Sequence, residues 1–265
     1  MKLNYEKRGT GPTVLLLGHG FPFDHRMWEA QLAGLSDEFT VLAPDFRGMG
    51  KSSPSGTPLT TMADMADDLA ELLDSLGIEK CTYCGLSMGG YVGLEFWIRH
   101  AARLERFILC DSNARCDTPE AAANRLLTAD RIEKEASCAF MAEGMKKNLM
   151  TDATLRTAED PNGGPANGVY PVYLRMVSEN SPLGVAAAAR GMAQRRDFTQ
   201  LVTQFDIPVL ILTGELDVLS PPSAMEELAH TIPGAELAVI PNAAHLSPME
   251  QPEEVDRAIR VFLRK

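Results

Sequence analysis

The chain has 265 residues, of which 45% are hydrophobic and 23% charged, and a formal net charge of −11. That length suffices for one large α/β domain, the composition is that of an ordered globular chain, and the acidic balance argues against nucleic acid or an anionic membrane as a partner. The opening Met1-Lys2-Leu3-Asn4-Tyr5-Glu6 lacks the apolar core of a signal peptide, and no apolar run approaches the ~18 residues of a membrane span, so a cytoplasmic location is expected.

Short apolar runs alternate with helical patterns, the signature of a mostly parallel sheet covered by helices. Residues 3–7 predict an edge strand, stopped by Gly9-Thr10-Gly11-Pro12, and residues 14–17 a buried central strand. A helix is expected over 26–35 and a strand over 40–43, ended by Pro44. Residues 60–76 predict an amphipathic helix with Met62, Met65, Ala66, Leu69, Leu72 and Leu73 on one face and Gly77 closing it. Strands follow at 81–84 and 106–110, with a helix over 91–100 between them. From about 115 to 190 the chain reads as helices alone, interrupted by the Asp160-Pro161-Asn162-Gly163-Gly164-Pro165 loop. Alternation then returns with strands at 208–212 and 237–240 and helices at 225–231 and 253–263. A helical block inserted into an α/β sheet predicts a cap over the carboxyl ends of the strands, where ligands of open sheets bind.

Gly85-Leu86-Ser87-Met88-Gly89 carries the chemistry. A serine between a strand and a helix sits on a tight, strained turn, and Gly85 and Gly89 remove the Cβ atoms that would collide there. A serine nucleophile needs a base, and the base an orienting acid. Asp217 follows one late strand and His245 the next, which places both on the rim that Ser87 occupies. Asp111, at the end of the strand over 106–110, and Glu215 are rival acids, and Asp217 is preferred because it sits deeper in its loop, ahead of Pro221-Pro222. The oxyanion hole needs two backbone N–H donors. Met88 supplies one and Phe21, in Gly18-His19-Gly20-Phe21-Pro22, the second, since Pro22 has no N–H.

Other motifs fall away. Gly18-His19-Gly20 opens like a dinucleotide fingerprint, but Phe23 stands where its third glycine belongs. Asp45-Phe46-Arg47-Gly48-Met49-Gly50-Lys51-Ser52 starts on aspartate where a phosphate-binding loop requires glycine. Cys81-x-x-Cys84 lies in a strand with no second pair, where cysteine acts as a small hydrophobe, and the five histidines lack metal-ligand spacing. Neither a metal nor a cofactor is expected.

These segments, with Asn242-Ala243-Ala244-His245-Leu246 and Cys110-Asp111-Ser112-Asn113-Ala114-Arg115, together resemble the α/β-hydrolase superfamily over essentially the whole chain. Within it the chain is similar to the branch of 3-oxoadipate enol-lactonases, small carboxylesterases and cofactor-free haloperoxidases. The resemblance implies an α/β-hydrolase fold, with a mostly parallel central sheet flanked by helices; the short N-terminus departs from the family pattern, and a reduced opening hairpin is expected. It implies Ser87, Asp217 and His245 as the triad, with Phe21 and Met88 as oxyanion donors. The expected organisation is one domain, with a core of 1–114 and 191–265 and a helical cap of 115–190. The expected reaction is hydrolysis of a small-molecule ester or lactone through an acyl-enzyme on Ser87. A non-catalytic receptor on the same fold, a carbon–carbon bond hydrolase and a haloperoxidase-like enzyme stand as alternatives, and the number of subunits is open. Residues 115–190 carry nine Lys and Arg against ten Asp and Glu, so nearly all the negative charge lies on the core. Phe140, Met141, Met145, Leu149, Tyr170, Tyr173, Leu174 and Met176 offer an apolar lining, although most are expected simply to hold the cap to the sheet. With no arginine standing out as a carboxylate clamp, neutral short-to-medium acyl esters are the expected substrates.

Overall fold

The structure is a computed structural model that describes residues 2–54, 56–158 and 168–265; the loop read at 160–165 lies outside them. Seven strands form one sheet: β1 (Tyr5–Arg8), β2 (Val14–Gly18), β3 (Thr40–Pro44), β4 (Cys81–Leu86), β5 (Leu104–Cys110), β6 (Val209–Gly214) and β7 (Glu236–Ile240). Their order is β1-β3-β2-β4-β5-β6-β7, with β1 antiparallel to β3 and all other neighbours parallel. The early helices are α1 (Glu29–Gly34), α2 (Met62–Ser75) and α3 (Met88–His100). Between β5 and β6 come α4 (Pro119–Glu135), α5 (Ala139–Leu149), α6 (Asp152–Ala158), α7 (Val169–Glu179) and α8 (Pro182–Met192). The chain closes with α9 (Pro222–Thr231), α10 (Ser247–Glu250) and α11 (Pro252–Leu263).

The period-two alternation of the strands sorts their side chains into two cores. Leu15, Leu17, Cys84, Leu86, Ile108, Cys110, Leu210 and Leu212 join one, with α1 and α11. Leu16, Tyr83, Phe107, Leu109, Val209 and Ile211 join the other, with α2, α3 and α9. Ile132, Met141, Leu149, Tyr173 and Met176 of the helical block belong to the first core, so the block packs as part of the body.

Several boundaries differ from the sequence reading. The helix expected over 26–35 divides into a 3₁₀ turn, His25–Trp28, and α1, because the Asp24 carboxylate caps the turn by accepting the Arg26 N–H at 3.0 Å. α3 starts at Met88, ahead of the expected Tyr91. β5 starts at Leu104, whose buried side chain outweighs the charged Glu105 and Arg106 beside it. α10, opened by Ser247-Pro248, was not anticipated.

The chain runs from β2 outward to β3 and then crosses back to β4 on the other side of β2. That reversal makes the carboxyl ends of β2 and β4 a topological switch point, where a crevice opens in a parallel sheet. Gly18 pairs with Gly85 at this point, one loop leading to Phe21 and the other to Ser87.

The helical block is fastened to this rim. Asn180, between α7 and α8, accepts the Gly50 N–H at 2.5 Å and donates to Pro22 O at 2.7 Å. In α8, Gly184 lies so close to Gly48 that a Cβ would meet Gly48 O at 1.9 Å. α4 packs along α8, and α5 against α7.

Candidate active site

Ser87 follows β4 and caps α3 with φ 52° and ψ −115°, a left-handed backbone on a residue with a side chain. Its surroundings enforce the conformation. A Cβ on Gly85 would lie 2.3 Å from Gly89 O, and one on Gly89 would lie 2.2 Å from Gly18 O. The Ser87 N–H donates to Cys110 O at 3.0 Å, and its carbonyl accepts the Ser112 hydroxyl at 2.8 Å. Tyr83, stacked between Phe96 and Phe107, donates its hydroxyl to Gly89 O at 2.7 Å. Among the described residues the Ser87 hydroxyl itself makes no hydrogen bond.

β6 and β7 lead into the loops that carry Asp217 and His245. Asp217 is 2% exposed and His245 3%. Asp217 Oδ1 accepts the N–H groups of Leu219 at 2.8 Å and Ser220 at 3.1 Å, and its Oδ2 lies 2.8 Å from His245 Nδ1. Burial works against the charge on Asp217, but the His245 hydrogen bond and charge outweigh it, with the two N–H donors, and its pKa falls below the usual carboxylate value. An ionised carboxylate only accepts, so Nδ1 carries the ring proton and Nε2 is the basic nitrogen. Burial likewise disfavours the charged ring of His245, but Asp217, with a smaller contribution from Asp111, raises its pKa above the imidazole value of 6.5.

Glu215 and Asp111 have other hydrogen-bond partners. Glu215 bonds the Asn242 N–H at 3.0 Å, and no hydrogen bond joins it to His245. Asp111 is completely buried beside the pair, but bonds Ser247 and Gly214 instead of the imidazole. Met88 opens α3, where the first N–H groups lack intrahelical acceptors. The Phe21 N–H is bonded to no acceptor among the described residues. His19 braces its loop, with Nδ1 2.8 Å from Gly20 O and Nε2 accepting the Phe46 N–H at 2.9 Å; burial lowers its pKa and keeps the ring neutral.

A cleft of about 530 Å³ reaches this rim through Phe21 and Leu219 and runs between α4 and α5, although Ser87 and His245 are not among its lining residues. Phe140, Met141, Met145 and Leu149 line it, four of the eight apolar residues that the sequence offered as lining or glue. Tyr173 and Met176 do not: both are fully buried and hold the block to the body. Arg125 and Arg131 also reach the cleft, but Arg125 is paired with Asp117 at 2.6 Å, and Arg131 with Glu135 at 2.7 Å while it stacks on Phe140. Leu219 lines a second cleft as well, of about 480 Å³, between the start of α4 and α9.

Two residues of the rim escaped the sequence reading. Ser247 is fully buried against Asp111. The Glu250 carboxylate takes the Ala244 N–H at 2.7 Å on one oxygen, and on the other the Thr151 N–H and the Thr151 and Thr154 hydroxyls at 2.8, 2.9 and 2.6 Å. No periodicity or motif marks either residue, since each acts through partners far away in sequence.

Asp24, His25 and Asp45 bring ligand atoms within 4.8 Å of one another. Their lone pairs are engaged: Asp24 bonds the Arg26 side chain, and Asp45 takes His25 Nδ1, Asn4 Nδ2 and the Lys51 N–H. The donor set suits loop stitching better than a cation. Cys81 and Cys84 are free and buried in β4.

A strained serine after the β4 turn, with a histidine–aspartate pair on neighbouring strand ends, is the arrangement of α/β-hydrolases. The alpha/beta hydrolase fold family matches residues 13–252, and the chain belongs to it. It is similar to a thermophilic esterase from Thermogutta terrifontis, solved with malate bound, at 46% identity and a TM-score of 0.92, covering 99% of this chain and 93% of that one. The enol-lactonase from Burkholderia xenovorans LB400 aligns with 28% identity and a TM-score of 0.87 over 99% of this chain and 96% of its own. Among curated relatives, 3-oxoadipate enol-lactonase 1 of Acinetobacter baylyi is 29% identical over 251 residues, 95% of this chain and 88% of that protein. No helix of the described residues is long and apolar enough to cross a membrane.

Proposed function

We propose that this chain is a serine hydrolase of small carboxylic esters, with Ser87 as nucleophile, His245 as base, Asp217 as the orienting acid, and the Phe21 and Met88 N–H groups as the oxyanion hole. The observation that carries the reading is the bond from His245 Nδ1 to Asp217 Oδ2, which leaves Nε2 basic on the rim where Ser87 sits strained at the switch point. His245 takes the Ser87 proton as the hydroxyl attacks the ester carbonyl, and the two N–H groups receive the oxyanion. His245 then protonates the leaving alcohol, and a water activated by the same nitrogen releases the acid.

Residues 115–190 serve as the cap over a core of 1–114 and 191–265, and the apolar cleft between α4 and α5 takes the acyl or alcohol chain. Five free thiols support a reducing, cytoplasmic setting. The lactonase reading draws support from the enol-lactonase relative and from the two arginines at the cleft, yet both arginines are already paired, which favours neutral esters. The test is turnover of a chromogenic short-chain ester by the parent and by Ser87→Ala, with mass spectrometry of the quenched enzyme. An acylated Ser87 peptide and a loss of at least about 10³-fold in the variant are expected. Activity within tenfold of the parent overturns the assignment, and a product burst from an activated ester argues against the receptor alternative. A panel of matched neutral esters and carboxylate-bearing lactones separates esterase from lactonase: a kcat/KM about a hundredfold higher for the charged lactones reverses the preference.

A further inference from the structure

The strands β4, β5, β6 and β7 are consecutive neighbours in the sheet, and three of their carboxyl ends carry Ser87, Asp217 and His245. The fourth end, that of β5, carries Asp111, which the reaction above leaves without a task. Its backbone has φ 42°, the left-handed region, and its N–H donates to Leu212 O at 2.8 Å. A strained, fully buried carboxylate persists only where its surroundings define it closely.

We propose that Asp111 is a positioning residue of the site, its carboxylate clamping the end of the strand that carries Asp217 to the segment that carries His245. The proposal rests on the serine-hydrolase reading and deepens it. Asp111 Oδ1 accepts the N–H of Gly214, three residues before Asp217, at 2.7 Å. Its Oδ2 accepts the hydroxyl of Ser247, two residues after His245, at 2.5 Å, and the Cys110 thiol at 3.4 Å. The two segments touch directly at the same place, since a Cβ on Gly214 would lie 2.2 Å from Ala244 O. One side chain therefore holds both partners of the acid–base pair in register, a task that Asp217 alone performs only through its bond to the ring.

Charge adds to the clamp. Asp217 and His245 act on Asp111 from their loops, Cys110 lies beside it, and Cys84 adjoins Cys110 from β4. Burial, then the Asp217 charge, push the Asp111 pKa up, while His245, Ser247 and the Gly214 N–H hold it down. Reciprocally, Asp111 favours the charged His245 ring. Replacing the carboxylate by an amide thus changes the imidazole as well as the hydrogen bonds.

The test pairs Asp111→Asn with Ser247→Ala in the full chain. It reads kcat and KM on a neutral ester, thermal melting, and the titration of the His245 ring by NMR, a readout that needs no turnover. Expected for Asp111→Asn are a kcat lower by about 10- to 100-fold, a KM within about threefold, and a His245 midpoint lower by about half a pH unit or more. Ser247→Ala should lower kcat by a smaller factor, and the double variant should be no worse than Asp111→Asn alone. An unmoved kcat, or an unmoved His245 titration, overturns the proposal, and a fall in melting temperature with an unmoved titration assigns Asp111 to structure alone. Should Asp111→Asn fail to fold, Ser247→Ala decides, and a kcat within twofold of the parent overturns the proposal. If Ser87→Ala retains activity, the serine reading fails, while the NMR titration still decides the role of Asp111.

Discussion

His245 Nδ1 lies 2.8 Å from Asp217 Oδ2, while Asp111, closer to the middle of the sheet and equally buried, directs its carboxylate to Gly214 and Ser247 instead. Two buried carboxylates thus act on one imidazole while holding different hydrogen-bond partners. Asp217 is held ionised by its donors, and Asp111 is pushed toward the neutral form by burial and by Asp217 itself.

The first consequence is a pH profile. In the proposed reaction His245 must be neutral to accept the serine proton, and its folded pKa is raised above 6.5, so kcat/KM should fall as pH drops through that raised value. Stability runs the other way. A histidine whose folded pKa is raised contributes stability fully below about pH 6.5, and that contribution is lost as pH rises through the folded pKa. Activity should therefore rise over the window in which this share of stability disappears. A kcat/KM that stays flat from about pH 5 to 8 contradicts the role of His245.

Asp217→Asn should cost about 10⁴ in kcat, because the amide fixes the wrong imidazole tautomer. Glu215→Gln, at an exposed carboxylate bonded to the Asn242 N–H, should leave kcat within about twofold. Steady-state kinetics of the two variants check this, and a larger loss in Glu215→Gln moves the acid to that position.

Gly184→Ala sets two effects against each other. Alanine is the better helix residue by about 1 kcal/mol, but its Cβ would lie 1.9 Å from a backbone oxygen of Gly48, which cannot rotate away. The clash should win, with a net loss of about 1–3 kcal/mol and a melting temperature lower by about 2–10 °C. A higher melting temperature would show that α8 can lift from the Gly48 loop at no cost.

Leu219 stands between two clefts, and Leu219→Ala should join them. The ratio of kcat/KM for long-chain over short-chain esters should rise about tenfold, with short-chain turnover little changed. An unchanged ratio across an acyl-length series would mean that the second cleft takes no part in binding.

The rim residues were legible because their signals are local. Gly85, Ser87 and Gly89 announce a strained turn within five residues, and Asp217 and His245 each follow a run of apolar residues that defines a strand end. Depth in the loop favours Asp217 over Asp111 and Glu215, and of the three Asp217 is the one hydrogen-bonded to His245. Less was legible where partners come from far away. Ser247 and Glu250 look like ordinary residues after a histidine, since their partners lie at Asp111, Thr151 and Thr154. Tyr173 and Met176 share their composition with the cleft-lining Phe140 and Met145, and only packing separates glue from lining. The turn before α1 was hidden because Asp24 caps it with a side chain that also binds Arg26.

The Glu250 carboxylate grips Thr151 and Thr154 on the helical block with one oxygen and the backbone next to His245 with the other. An inserted block of this kind invites exchange between related proteins as a ready-made module, yet here its latch belongs to the recipient. A transplanted block lacking hydroxyls at 151 and 154 would leave the Glu250 oxygen that faces it with the backbone N–H of residue 151 alone, and the disturbance would arrive first at residue 244, one peptide from His245. Grafting new selectivity onto this scaffold therefore means moving three side chains along with the helices.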